Sequence, residues 1–362
     1  MAKQVGIDKW LFGSTLLLVL IGVVMVFSAS AVMAGERFGS AYYFLFRQLG
    51  WALAGLAAMT LTARLDYRQW KKPAIVFTFL GVTTLLLVAV FFFDRSHNTH
   101  RWFRMGFASF QPSELAKPAL ILFLAFFLAD RVKAIDDWRH TLLPAIVPPI
   151  LFCALIVKEP DLGTAIVCLG ATAGILYVAG LRLRYFGYAL LPLVPALIYL
   201  LSVPYRRARI KVFLNPGSDP QGAGFHVTQS LIAVGTGGLT GLGLMEGKQK
   251  LFFLPEPHTD FIYAVASEEL GLIGAALIAT LFLVFAWRGF RVAMRAKDPF
   301  ARFLAAGVTT TVVLQAFFNM SVVLALLPTK GIPLPFISYG GSSLFVTLAS
   351  VGVLLNISQH AE

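Results

Sequence analysis

The sequence predicts an all-α polytopic membrane protein with about ten transmembrane helices. Of its 362 residues, 58% are hydrophobic and only 13% are charged, whereas a soluble domain carries about a quarter charged residues. The mean hydropathy is +0.77. The apolar residues are also gathered into runs of roughly 20, which is the length that crosses a bilayer as a helix.

Ten apolar runs, separated by polar segments, give the spans in order. The first follows MAKQVGIDKW and is too long for the apolar part of a cleaved signal peptide. The predicted spans are 11–34, 46–63, 73–93, 114–129, 141–157, 162–180, 186–203, 259–286, 303–327 and 338–356. The whole chain, 1–362, then forms a single integral membrane domain with a large loop, about 204–258, between helices 7 and 8.

The distribution of Lys and Arg predicts the orientation of the chain. Alternating segments place about 16 of the 30 basic residues on the side that holds both termini, and about 8 on the other side once the long loop is discounted. We therefore expect both termini in the cytoplasm and a large extracytoplasmic loop. The net charge of +12 is then explained by these loops, so nucleic acid is not an expected partner.

The sequence contains no motif that supports a metal-binding, ATP-driven or hydrolase function. Cys153 and Cys168 lie within apolar runs and are expected to be buried small hydrophobes, without a disulfide or a metal site. The sequence shows no Walker motif, dinucleotide fingerprint, zinc spacing or G-x-S-x-G motif.

The first polar segment on the outer side is DRSHNTHRWFRMGFASFQPSELAK, residues 94–117. Arg101 and Trp102 precede Gln111, which opens the next span, and Glu114 and Lys117 follow within it. Glu114 and Lys117 stand at i and i+3 and share one helix face. An ionisable pair inside a span is costly and usually functional, although Trp102 also fits simple anchoring at the membrane interface.

The second and third segments combine a tight turn with a dense basic group. KEPDLGT, 158–164, joins two spans and presents Asp161, but its Pro and Gly equally fit a plain turn. The long loop opens with Arg206, Arg207, Arg209 and Lys211, against the positive-inside trend. This basic group would bind either a specific anionic lipid headgroup or, as a solvated basic face, anionic lipids without specificity. The glycine-rich stretch that follows suits either a phosphate cradle or a flexible connector.

The fourth segment is LPEPHTDFIYAVASEELG, 254–271. Asp260 lies where an apolar run begins, and His258 immediately precedes that point. A carboxylate at a helix N-terminus is favoured by the helix dipole, so Asp260 is either a cap or a functional acid. Glu268 lies two turns deeper on roughly the same face and needs a partner, whereas Glu269 points about 100° away.

The fifth segment is LLPTKGIPLPFISYGGSS, 326–343. Its prolines predict a re-entrant type of loop that places Lys330 on the outer side, and Ser338 opens the last span. The small residues after Ser338 also suit close helix packing.

These five segments, together with FSAS at 27–30, resemble the SEDS family of FtsW, RodA and SpoVE over nearly the whole chain. The resemblance implies a ten-span glycosyltransferase that polymerises lipid II, with the essential acid of its HTDFI-like motif at Asp260. The family's RW and QPSE-L-K positions fall on Arg101 and Trp102 and on Gln111, Glu114 and Lys117. LPTKGIPLPFISYGGSS and FFLPEPHTDF are closer to the division and sporulation types than to the RodA-like elongation type, and between these the FtsW-like division type is favoured.

The resemblance and the residues together predict a peptidoglycan glycosyltransferase for septal synthesis, in the bacterial inner membrane, with Asp260 as general base and an active site on the outer face. The candidate substrate-binding residues are Arg101, Trp102, Gln111, Glu114, Lys117, Asp161, Arg206, Arg209, Lys211, His258, Glu268, Lys330 and Ser338. A divalent cation, Mg²⁺ or Mn²⁺, could assist, with ligands that the sequence does not specify. The expected partners are lipid II, a class B penicillin-binding protein and other divisome proteins.

Two other functions remain open at this stage. A lipid II flippase would need a polar path through both leaflets, yet the polar residues cluster near the outer face. A non-catalytic scaffold of the divisome would tolerate Asn at position 260.

Overall fold

The computed structural model describes residues 6–94, 101–105, 108–215, 224–251, 253–254 and 256–360. Pro255 and the start of the glycine-rich stretch, 216–223, lie outside this part of the chain. The described residues form a helical bundle with one short hairpin. Its elements are α1 (Lys9–Phe38), α2 (Tyr43–Arg64), α3 (Pro73–Phe93), β1 (Phe103–Met105), β2 (Ala108–Phe110), α4 (Pro112–Ala129), α5 (Leu143–Lys158), α6 (Leu162–Val178), α7 (Leu183–Leu201), α8 (Pro204–Leu214), α9 (Phe225–Thr236), α10 (Ile262–Arg295), α11 (Pro299–Val323) and α12 (Gly341–His360).

Each of the ten predicted spans coincides with one of these helices, and the predicted fold class is confirmed. Eight helical segments in the described part of the chain are long and apolar enough to cross a membrane, and α6 is a shorter apolar helix. Two helices begin later than predicted, α10 at Ile262 rather than 259 and α12 at Gly341 rather than 338. The residues just before them are held in loops by hydrogen bonds to other segments, as described below.

The helices pack closely where small residues face a neighbour. The pair α2 and α12 is joined by the Thr62 hydroxyl, which donates to the Ala349 carbonyl at 2.9 Å. A Cβ atom on Gly352 would lie only 2.3 Å from the Met59 carbonyl oxygen, so this crossing needs glycine. The small residues predicted to allow close packing at the start of the last span include Gly341, where a Cβ atom would lie 2.2 Å from the Trp51 indole nitrogen of α2.

The predicted long loop is partly helical, because it contains α8 and α9. Beyond α9 the chain packs into a break in α10 at Gly271, where φ is +66°. The Leu242 amide donates to the Glu268 carbonyl at 3.0 Å, and the Leu272 amide donates to the Gly238 carbonyl at 2.9 Å. The inserted loop thus satisfies backbone groups that the break in the helix leaves without partners.

Two glycines of this loop, Gly237 and Gly241, are packed against the backbone of α10 rather than free to bind a phosphate or to act as a flexible connector. A Cβ atom on Gly237 would lie 2.0 Å from the Ser267 carbonyl oxygen, and one on Gly241 would lie 2.1 Å from the Glu269 carbonyl oxygen. Glycine is needed at these two positions because the backbones approach too closely for any side chain.

The two acids inside α10 anchor the same loop. Glu268 accepts hydrogen bonds from the amides of Lys248 at 2.9 Å and Gln249 at 3.2 Å. Glu269 pairs with the Lys250 ammonium at 2.5 Å and accepts from the Ser28 hydroxyl at 2.6 Å. All of these acidic and basic groups are buried apart from the Lys248 side chain, which is exposed.

Candidate active site

A polar cavity of about 630 Å³ lies at one end of the bundle, between the start of α6, helix α8 and the segment that follows α11. It brings together residues that are up to 229 positions apart in the sequence, from Arg101 to Lys330. Six of the predicted site residues line it: Arg101, Asp161, Arg206, Arg209, Asp260 and Lys330. Two carboxylates and four cationic side chains therefore share one cavity.

Asp260 lies in the turn just before α10, where its side chain is partly buried. Its backbone carbonyl accepts a hydrogen bond from the Asn319 amide at 2.9 Å. Its carboxylate packs against Gly331, because a Cβ atom there would lie 2.5 Å from Oδ2. The turn is thus fixed on one side by α11 and on the other by the segment that follows α11.

Burial raises the pKa of the Asp260 carboxyl from 3.8 to about 6. The neighbouring charges of Glu256 and Asp161 push the pKa in the same direction, and Arg101 and Arg209 oppose them. A carboxyl with a pKa near 6 is a stronger base than an ordinary aspartate and is still mostly ionised at neutral pH.

The cationic side chains are held from several elements. The Arg101 guanidinium donates to the carbonyls of Glu159, at 2.7 Å, and Pro160 in the turn before α6. Arg209, on α8, donates to the Thr329 carbonyl at 3.3 Å. Burial, followed by the charge of Arg206, lowers the pKa of Lys330 to about 8, so this ammonium is mostly charged at neutral pH.

Asp161 has a structural role as well as a position at the cavity. It caps α6 by accepting from the Thr164 amide at 3.0 Å and the Thr164 hydroxyl at 2.8 Å, and it also accepts from Gln111 at 3.0 Å. The contacts of Asp161 therefore agree with the interpretation of KEPDLGT, 158–164, as a tight turn. Gln111 does not line the cavity; it contacts the cavity residue Asp161 through this hydrogen bond. The neighbouring Glu159 side chain is fully buried, and burial raises its pKa to about 9.

The structure places the remaining predicted residues away from the cavity lining. Glu114 and Lys117 are buried in α4 and pair with each other, and Lys211 is exposed on α8. Trp102 is partly buried, and its amide donates to Asp94 at 3.1 Å. Glu268 binds the loop inserted at the break in α10, as described above.

His258 and Ser338 hold two loops together. The Ser338 hydroxyl donates to the Thr259 carbonyl at 2.7 Å, and the Tyr339 amide donates to the His258 carbonyl at 2.9 Å. The His258 ring is buried, with its centroid 4.5 Å from that of Phe44, and burial lowers its pKa to about 4. These contacts explain why α10 and α12 begin later than the hydropathy pattern predicts.

Sequence reasoning missed three residues that shape the site: Gly331, Gln315 and Asn319. Gln315 and Asn319 are buried amides within the apolar helix α11. Uncharged polar residues inside a span need hydrogen-bond partners, and that signal was available in the sequence. Gly331 had no such signal, because its importance comes only from its contact with Asp260.

The side chains at the cavity do not fit a resident divalent cation. Among the residues that the structure describes, no three His, Cys, Asp or Glu side chains lie close enough to hold a metal ion. The Asp161 carboxylate already accepts three hydrogen bonds, and four cationic side chains line the same cavity. The described side chains at this cavity therefore offer no set of ligands for a divalent cation.

The fold and the cavity together define a class: polytopic helical membrane proteins with a cavity lined by four cationic side chains and two carboxylates. Residues 8–362 match the sequence model of one such family, FtsW/RodA/SpoVE, described as "Cell cycle protein". The chain belongs to this family, so the resemblance predicted from the sequence is confirmed.

Individual relatives match over nearly their whole length. The chain is 48% identical over 344 residues to a probable peptidoglycan glycosyltransferase FtsW of Geobacter metallireducens, covering 94% of this chain and 92% of that protein. It is 44% identical over 366 residues to the stage V sporulation protein E of Bacillus subtilis, covering 99% of both.

Two solved structures share the fold. One, described as a peptidoglycan synthase complex that coordinates polymerization and crosslinking, matches with a TM-score of 0.79 and 29% identity over 97% of both chains. The rod shape determining protein RodA of Thermus thermophilus matches with a TM-score of 0.70 and 26% identity, covering 98% of this chain and 97% of that one.

Proposed function

We propose that this chain is a peptidoglycan glycosyltransferase that polymerises lipid II into glycan strands for septal cell-wall synthesis. The observation that carries the proposal is the partly buried carboxylate of Asp260, in a cavity that it shares with Asp161 and four cationic side chains. The family membership and the names of the relatives support the same reaction class.

In the proposed reaction, the 4-hydroxyl oxygen of the acceptor sugar attacks the anomeric carbon of the donor. The hydroxyl proton passes to the Asp260 carboxylate, which acts as general base. The bond between the anomeric carbon and the diphosphate oxygen breaks, and its electron pair leaves with undecaprenyl diphosphate. Because Asp260 acts only as a base and no side chain acts as a covalent nucleophile, the displacement is direct and inverts the configuration at the anomeric carbon.

The cationic side chains stabilise the departing diphosphate. Arg101, Arg206, Arg209 and Lys330 carry four positive charges, against two negative charges on Asp161 and Asp260 when both are ionised. The surplus of about two positive charges balances the negative charge of a lipid-linked diphosphate. Fixed cations in a site with little water stabilise the charge of the transition state without having to reorganise.

We further propose that the protein lies in the bacterial inner membrane with both termini in the cytoplasm and the cavity at the outer face. The basic residues concentrated on the predicted cytoplasmic side support this orientation. Lipid II would then meet Asp260 after it has crossed the membrane.

We also propose that a class B penicillin-binding protein and other divisome proteins work with this chain. The similarity to a member of a peptidoglycan synthase complex supports a partner of the crosslinking type. The division role is supported by the FtsW relatives, and a RodA-like elongation role is the alternative subtype.

The test is glycan chain formation from purified lipid II by the purified protein together with its cognate class B partner. We expect polymer from the wild type and none from Asp260→Asn. The matched control is Asp66→Asn, because Asp66 caps a turn through the Arg68 amide at 2.9 Å and Asn can keep that cap.

The other outcomes separate the alternatives. If neither protein makes polymer but the wild type moves lipid II across vesicle membranes, the chain is a flippase. If neither activity occurs and Asp260→Asn still supports crosslinking by the partner when glycan strands are supplied, the chain is a scaffold.

A further inference from the structure

The segment between α11 and α12 carries Gly331 and Lys330 to the cavity without regular secondary structure. Three of its residues, Pro328, Pro333 and Pro335, have no backbone N–H to donate. Its position against Asp260 therefore depends on hydrogen bonds from other parts of the chain.

Arg209 and Ser338 make two of these contacts, at the two ends of the segment, and two side-chain amides of α11 hold its middle. Gln315 and Asn319 are one turn apart on the same helix face. Gln315 Nε2 donates to the Pro333 carbonyl at 3.0 Å, and Asn319 Nδ2 donates to the Ile332 carbonyl at 2.7 Å. The same Asn319 nitrogen also donates to the Asp260 carbonyl at 2.9 Å. Asn319 thus joins the turn that carries Asp260 to the segment that packs against it.

The ion pair in α4 controls how Gln315 is oriented. Lys117 Nζ lies 2.7 Å from Glu114 Oε2 and donates to Gln315 Oε1 at 3.0 Å. An ammonium can only donate and a carbonyl can only accept, so Gln315 fits between Lys117 and the Pro333 carbonyl in one orientation only. Lys117 and Glu114 are 5% and 3% exposed, and neither of them lines the cavity.

We propose that Gln315 and Asn319 are positioning residues that hold the segment 329–338 against Asp260. The Glu114–Lys117 pair then acts on the site through Gln315 rather than by binding substrate. The proposal rests on the proposed function only in assigning Asp260 its role as base, because the hydrogen-bond relay itself is independent of the reaction.

Replacing either amide should release the segment and admit water to Asp260. The carboxyl would then lose part of the burial that raises its pKa, which should fall from about 6 toward 3.8. None of the charged groups that face Asp260 is itself substituted in these variants: Glu256, Asp161, Arg101, Arg206, Arg209 and Lys330. Neutral substitutions therefore test the geometry without adding or removing a charge.

The variants are Gln315→Leu and Asn319→Leu, with Asn356→Leu as the matched control. Asn356 is also a buried amide that makes two backbone contacts, accepting from the Tyr67 amide at 2.8 Å and donating to the Ala63 carbonyl at 2.9 Å. Its contacts join α12 to α2 and to the turn that follows α2, away from the cavity.

The first readout needs no enzymatic activity. Asp260 is labelled with a water-soluble carbodiimide and glycine ethyl ester as a function of pH, and the modified peptide is quantified by mass spectrometry. We expect the wild type and Asn356→Leu to share one midpoint, and both α11 variants to show a midpoint lower by about one pH unit or more. Equal midpoints in all folded proteins would overturn the proposal.

The second readout is kinetic. In each α11 variant we expect kcat for polymerisation to fall about 10- to 100-fold, with KM for lipid II changed less than about threefold, because the base is misplaced while Arg101, Arg206 and Arg209 remain on other elements. Lys117→Met should produce the same pattern through Gln315. A KM increase with unchanged kcat in Lys117→Met would instead mean that Lys117 binds substrate.

The two readouts also separate this proposal from the proposed function. If the wild type makes no polymer but the labelling midpoints shift as expected, the glycosyltransferase assignment fails and the positioning role stands. Gln315 holds the Pro333 carbonyl and Asn319 holds the Ile332 carbonyl, so each variant loosens the same segment by itself. If one α11 variant does not fold, the other therefore still tests the proposal.

Discussion

The pH dependence of polymerisation follows from the raised pKa of Asp260. The rate depends on the ionised base, so kcat/KM should rise as the pH increases through about 6. With a pKa of about 6, roughly 9% of the carboxyl is ionised at pH 5 and roughly 91% at pH 7, which gives about a tenfold increase. An aspartate with the ordinary value of 3.8 would already be roughly 94% ionised at pH 5 and would give almost no change.

Lys330 sets the upper end of the same profile. Its pKa is lowered to about 8, so its charge is lost as the pH rises above that value and the leaving diphosphate loses one stabilising contact. The profile should therefore be bell-shaped. Lys330→Arg keeps the charge at high pH, so it should remove the fall above pH 8 and leave the rise near pH 6 in place.

The assay is the initial rate of glycan formation between pH 5 and pH 9, at lipid II concentrations below KM, with the partner protein present. Monodispersity in detergent at each pH excludes unfolding as the cause of a change. His258 does not interfere in this range, because its pKa is about 4. A rate that is flat from pH 5 to pH 7 would refute Asp260 as a base with a raised pKa.

Two further substitutions test local contacts. Gly331→Ala places a Cβ atom 2.5 Å from the Asp260 carboxylate and should lower the rate of polymerisation at least about tenfold. Its control, Gly340→Ala, should leave the rate unchanged, because the added Cβ atom lies 3.7 Å from its nearest neighbour. Equal rates in the two variants would contradict the contact between Gly331 and Asp260. Lys250→Met leaves a buried carboxylate without its cation and should cost about 3–5 kcal/mol of stability in detergent unfolding. The exposed Lys248→Met should stay within about 0.5 kcal/mol, and a similar loss in both variants would argue against a buried ion pair.

Hydropathy alone was sufficient to predict the ten long apolar helices, because a bilayer requires long apolar runs, but it did not predict α8 and α9 within the long loop. It could not predict the break in α10, since Gly271 lies in an apolar run and its conformation depends on a loop that packs against it from about 30 residues earlier. The same reason explains Glu268. Its spacing from Asp260 suggested a shared site, but the backbone amides of residues 248 and 249 bind it instead.

The site was predicted best where charge identified it. Asp260, Arg101 and Arg209 stand out in an apolar chain, and they do line one cavity. Lys117 stood out equally, yet it lies behind the cavity. Whether a charged residue faces a cavity or a neighbouring helix depends on the rotation of its own helix, and spacing along one segment does not determine that rotation.

The central claim is that Asp260 removes a proton in the chemical step. Its most direct test compares lipid II binding and glycan formation in one preparation of Asp260→Asn with its partner. We expect lipid II binding within about threefold of the wild type and polymerisation reduced by about 100-fold or more, since general base catalysis contributes about 10²–10⁴. Polymerisation within a few-fold of the wild type, in protein that binds lipid II normally, would contradict that claim.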